Sequence, residues 1–315
     1  FKDYSAQVAD PQFIQLFSKS HKHLYDASFL LMNFQKDNKA ITDSYLKSIS
    51  SRNLTPIALA SLFASSISLE DSLSSSSIQV FTTLIRMRSS NKWSSENTSQ
   101  FFNETARILN LRKNTKHSTI CKHNDWIIYL FSADSILRKS IVEFAHSIFT
   151  SENASYLVDN LLSEIPNLVD RCLSCSSSSM MKSDDCYPTP QFFDLLYWSI
   201  NIGHFDSCVL KNKNIFIKAM SSFSSLSSSQ FKRPIYDLLD FLNKALSNQQ
   251  IPAFFDNQTM QTFLKTLSNI PTDVKTYIDM VMPSMSHFII NIPNVDQVMI
   301  TKSNLFKLSM LLLLF

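Results

Sequence analysis

The chain has 315 residues, of which 44% are hydrophobic and 17% charged, with a net charge of +3 and one glycine. So mild a charge lacks the strong basic excess that dedicated nucleic-acid binders concentrate on one face. A single glycine excludes phosphate-cradling loops, dinucleotide turns and nucleophile elbows, all of which need backbone at positive φ or in close approach to a ligand.

The same scarcity bears on the fold, because tight hairpins and bulges prefer glycine while helices need it only at some C-caps. The chain therefore reads as all-α. Helix starts are legible where a capping residue precedes proline, at Asp10-Pro11, Thr55-Pro56 and Thr189-Pro190. Apolar residues at helical spacing predict helices over 24–35, 56–69, 77–88, 97–110, 124–132, 135–149, 153–164 and 166–175. Further helices are predicted over 190–201, 209–222, 231–247, 257–268 and 272–282. Connectors are short except for the serine-, aspartate- and proline-bearing stretch of about 176–189, the predicted mobile loop.

Many helices in series without strand signals predict one helical-repeat domain over 1–315, an α-solenoid of antiparallel pairs of the armadillo or HEAT kind. No strict repeat near 40 residues can be aligned, which leaves a globular helical bundle as the alternative. The chain starts at Phe1 and ends inside the apolar run Met310–Phe315, so it is expected to be a segment of a longer protein. That run, counted from Leu305, contains Lys307 and is far shorter than the roughly 20 residues a bilayer span needs. No membrane association is expected.

Candidate chemistry is sparse. Cys172 and Cys175 form a CxxC, with Cys186, His204 and Cys208 downstream as conceivable zinc ligands. They follow Leu168-Val169 in an apolar helix and lack a second ligand hairpin, so they are read as buried thiols; no metal, cofactor or catalytic residue is expected. His146, inside the apolar stretch 142–149, is read as a packed core histidine. Five cysteines without regular spacing point to a reducing compartment, cytoplasmic or nuclear. The one basic cluster, with Arg112, Lys113, Lys116 and Lys122, is the expected contact for an acidic protein partner. It lacks the interleaved aromatic residues that single-stranded nucleic acid would stack on.

Two stretches resemble known families. Trp126–Phe149 has an aromatic helix, the break Ser132-Ala133-Asp134-Ser135 and then Ile136-Leu137-Arg138-Lys139, similar to the arginine-bearing second-helix starts of armadillo and HEAT repeats. Phe192-Phe193-Asp194-Leu195-Leu196, followed by Gly203, Cys208, Leu210 and Ile215, resembles a helical-repeat segment of the very large ubiquitin-specific proteases of the fat-facets class. The resemblance implies a non-catalytic scaffold that binds proteins. The proteases' cysteine and histidine boxes need glycines that Gly203 alone cannot supply, and Cys208 lies in no such box. A nucleic-acid-binding solenoid and a helical enzyme domain are the competing classes.

Overall fold

A computed structural model describes residues 55–57, 59–60, 63–64, 93–111, 121, 125–177, 186–203, 213–226 and 231–246. Among these residues helix dominates and no strand occurs, so the described part of the chain is all-α. The predicted helices at 24–35, 77–88, 257–268 and 272–282, and the start at Asp10-Pro11, lie outside the described residues. The chain divides into two compact units, Phe1–Phe149 and Thr150–Phe315.

In the first unit, Thr55 and Pro56 open a helix as the sequence predicts: the Leu59 amide donates to the Thr55 carbonyl at 3.1 Å, and Pro56 takes the first helical position. Helix α1, Ser95–Leu111, starts where the Ser94 hydroxyl accepts the Asn97 amide at 3.1 Å. Its buried residues include Thr98, Phe101, Phe102, Thr105, Ile108 and Leu109, a stripe at three- and four-residue spacing. The buried hydroxyls of Thr98 and Thr105 donate to carbonyls one turn back, so they enter the core without orphaned donors.

The stretch predicted as a helix over 124–132 is a 3₁₀ helix, Asp125–Phe131. Three residues per turn bring positions i and i+3 into line, which explains the burial pattern. Trp126 with Tyr129 and Ile127 with Leu130 form the two buried rows, while Asp125 and Ile128 share the exposed one. Helix α2, Ser135–Ile148, follows at once. Asp134 caps it, accepting the amides of Ile136 at 2.9 Å and Leu137 at 3.3 Å.

Helices α1 and α2 pack on each other around a connected set of rings. Phe144 of α2 lies 5.1 Å from Phe102, 5.6 Å from Trp126 and 6.2 Å from Phe63 between ring centroids. Phe101 joins the set through Phe63 and Trp93, and Phe102 extends it to Tyr129. Each such pair adds about 0.5–1.5 kcal/mol beyond the area it buries. Arg138 is also buried, 1% exposed, and its guanidinium donates to the Ser132 carbonyl at 2.7 Å, tying the helix to the break before it.

In the second unit, helix α3 is Ala154–Ser177 and runs through Pro166. This corrects the two helices expected over 153–164 and 166–175. Pro166 itself is exposed and its missing amide removes one helix hydrogen bond, while Leu161, Leu162, Ile165, Leu168, Val169 and Cys172 keep one buried stripe going past it. Of the predicted loop at 176–189, Ser176 and Ser177 belong to α3 and Thr189 opens the next helix; 178–185 lie outside the described residues.

Helix α4, Thr189–Gly203, buries residues on two sides and packs against both α3 and α6. Its first turn closes on Pro188, whose carbonyl accepts the Phe192 amide at 3.1 Å, so Thr189 lies inside the helix rather than capping it. Helix α5, Lys213–Ser221, and the 3₁₀ turn Ser222–Ser225 both pack on α3. Helix α6, Lys232–Leu246, buries Ile235, Leu238, Phe241 and Ala245 along one stripe. Phe193 stacks on Phe241 at 5.1 Å and meets Phe223 at 5.8 Å, closing the core between the helices.

Candidate functional site

Spacing on α4 and α6 builds a cleft where the two helices meet. Phe193, Asp194 and Tyr197 come from successive positions on one side of α4, and Arg233, Asp237, Asp240, Phe241 and Lys244 recur at three- and four-residue steps along α6. With Pro190 they line an open cleft of about 110 Å³. Phe193 and Phe241 are its buried floor; Asp194, Arg233 and Lys244 reach the exposed rim.

Its charges are largely committed to one another. Thr189 donates to one Asp237 carboxylate oxygen at 2.5 Å, and Arg233 Nε approaches the other at 2.9 Å. Lys244 pairs with Asp240 at 2.5 Å. Burial nonetheless holds the Asp237 carboxyl above its ordinary value; the Thr189 and Arg233 contacts offset this in part, and Asp194 adds to it. Asp240 raises the Lys244 ammonium by hydrogen bonding, with Asp194 and Tyr197 contributing through their charge. A carboxylate with both oxygens occupied and a lysine held in its charged form are poor general bases. What the cleft offers is its shape, the half-exposed Tyr197 ring and the charges at its rim.

The CxxC thiols take the places expected of them. Cys172 and Cys175 are 0% and 3% exposed, and Cys186 at 6% comes close to the same helix end, its carbonyl accepting from Cys175 Sγ at 3.7 Å. Burial pushes the Cys172 thiol far up, and the neighbouring Cys175, Asp237 and Cys186 push the same way. Among the described residues no group of His, Cys, Asp and Glu is arranged to hold a metal ion.

His146 departs from expectation. It is exposed, because Leu137, Ile141, Phe144, Ala145 and Ile148 define the buried face of α2 and position 146 falls to the other side. Partial desolvation lowers its pKa, and Glu143 one turn back works against that shift. Arg112, Lys113, Lys116 and Lys122, together with His204 and Cys208, lie outside the described residues. The cleft was missed by sequence reasoning: Thr189 and Asp237 are 48 positions apart, and only the regular spacing of Arg233, Asp237, Asp240 and Lys244 along one helix hinted at a charged face.

Among the described residues no helix is long and apolar enough to cross a membrane. Comparison with models of protein families, with curated proteins and with solved structures gives no match.

Proposed function

We propose that this chain is a non-catalytic helical scaffold that binds protein partners, built as stacked antiparallel helix pairs of the armadillo or HEAT kind. The α4–α6 cleft carries the reading: an open, aromatic-floored groove on two packed helices, whose carboxylates are held by Thr189, Arg233 and Lys244 rather than poised for chemistry. The helix pair α1–α2, with Asp134 capping and Arg138 buried just after the break, supports a repeat architecture. The helical region of a large ubiquitin-specific protease is the parent protein that the Phe192–Ile215 pattern favours. In such a scaffold the rim of the cleft and the basic cluster at Arg112, Lys113, Lys116 and Lys122 are the two contact surfaces.

The test uses the whole chain as bait with two variants: Asp194→Lys combined with Tyr197→Ala at the cleft, and charge reversal of the four basic residues. Cross-linking mass spectrometry is expected to return a reproducible partner set that one variant loses while its helical circular dichroism is kept. Asp194 is exposed, and substitutions at exposed positions away from packing change stability by under about 0.5 kcal/mol. A partner set unchanged in both variants would remove both surfaces, and cleavage of ubiquitin conjugates by this chain alone would overturn the scaffold reading.

A further inference from the structure

Three thiols converge at one end of the second unit, and the cleft does not use them. Cys172 and Cys175 lie one turn apart on α3, and Cys186 sits in the short 3₁₀ position just before α4. The hydrogen bond from Cys175 Sγ to the Cys186 carbonyl, 3.7 Å long, holds the first sulfur against the backbone of the second residue, 11 positions on.

Geometry separates the two pairings open to Cys175. On a continuous helix, side chains three apart keep Cβ atoms about 5–6 Å from each other, whereas a disulfide needs about 3.5–4.5 Å. Joining Cys172 to Cys175 would therefore distort α3 within its buried stripe. Cys186 lies outside both long helices, so pairing it with Cys175 leaves the hydrogen-bond ladders of α3 and α4 intact. All three thiols are buried, Cys172 at 0%, Cys175 at 3% and Cys186 at 6% exposed.

We propose that Cys175 and Cys186 are an oxidisable pair that forms a reversible disulfide, tying the last turn of α3 to the short segment that leads into α4. With hydrogen peroxide as the two-electron oxidant, the thiolate of one cysteine attacks a peroxide oxygen. The O–O bond breaks, leaving a sulfenic acid and water once a proton is taken up. The second thiol then attacks that sulfur, the S–S bond forms, and the hydroxyl leaves as a second water. Two thiols and one peroxide give one disulfide and two waters; both sulfurs are oxidised and the peroxide is reduced. Thr189 stands three residues beyond Cys186, so the bond would brace the end of α4 that holds Asp237.

The test is disulfide mapping of the whole chain after peroxide treatment, alkylation and digestion without reductant. Cleavage after Lys182 separates Cys175 from Cys186, and cleavage after Leu173 separates Cys172 from Cys175, so each pairing has its own signature. The expected result is a linked Cys175–Cys186 peptide pair, lighter by two hydrogens, released by dithiothreitol, with loss of alkylation at both positions and Cys172 alkylated only after unfolding. Cys186→Ser should abolish the link. Should that variant not fold, the map of the unaltered chain decides alone. A Cys172–Cys175 link, a link to Cys208 or between two chains, or two persistently alkylated thiols would overturn the proposal.

Discussion

The two units bury different kinds of residue, and the difference lies in where their polar side chains find partners. Around α1 and α2 the interior is a web of rings from Phe63 to Phe144, and among its buried polar side chains Thr105 donates to the Phe101 carbonyl and Arg138 to the Ser132 carbonyl, both close by in sequence. Around α3, α4 and α6 the interior is leucine and thiol with a short run of rings, and its polar pairing, Thr189 with Asp237 and Arg233, reaches across helices and opens on a cleft. In the second unit, Phe193 and Phe241 form the buried floor of a cleft whose rim carries Asp194, Arg233 and Lys244.

The largest effect that could break this contrast comes from the ring at the centre of the web. Phe144→Ala, which removes contacts to Phe63, Phe102 and Trp126, should lower unfolding stability by about 3–5 kcal/mol in denaturant titration. Phe193→Ala should cost less, since Phe193 also faces the cleft; equal losses would erase the distinction. Next in size, Arg138→Ala should cost about 1.5–3 kcal/mol, the value of a hydrogen bond from a charged group together with the stem it buries.

A smaller change carries the opposite sign. The Ser99 hydroxyl is buried without a hydrogen-bond partner, so Ser99→Ala should raise the free energy of unfolding by about 1 kcal/mol, helped by the better helix propensity of alanine. Loss of stability there would show that the hydroxyl is satisfied by a water.

The smallest effect is a slope with pH. Asp237 has a folded pKa above its ordinary 3.8, so between the two values the folded chain holds a proton the unfolded chain has released. Stability contributed by the protonated form is present below 3.8 and is lost as pH rises through the folded value. Asp237→Asn should flatten that limb in thermal unfolding across mildly acidic pH, and an unchanged slope would contradict the burial assigned to this carboxyl.

Much of the helical plan was legible because capping residues and apolar spacing are local. Thr55-Pro56, the helix over 135–149 and the helix over 231–247 could be placed to within a residue or two. Pro166 misled, since a local breaker lost to a buried stripe that continues on both sides of it. The 3₁₀ form of 125–131 was hidden because aromatic and branched residues bury two of three rows in either helix type. His146 was misplaced by composition: five apolar neighbours suggested a core position, but a 3.6-residue turn carries it to the far face. The cleft was the least legible, because its central contacts join residues from two helices.

The most direct test of the scaffold account is the affinity of a partner identified by cross-linking, measured by calorimetry against the unaltered chain and against Asp194→Lys with Tyr197→Ala. The account predicts a loss of about tenfold or more for the cleft variant, with helical circular dichroism and unfolding midpoint unchanged. Equal affinity for both proteins would contradict it.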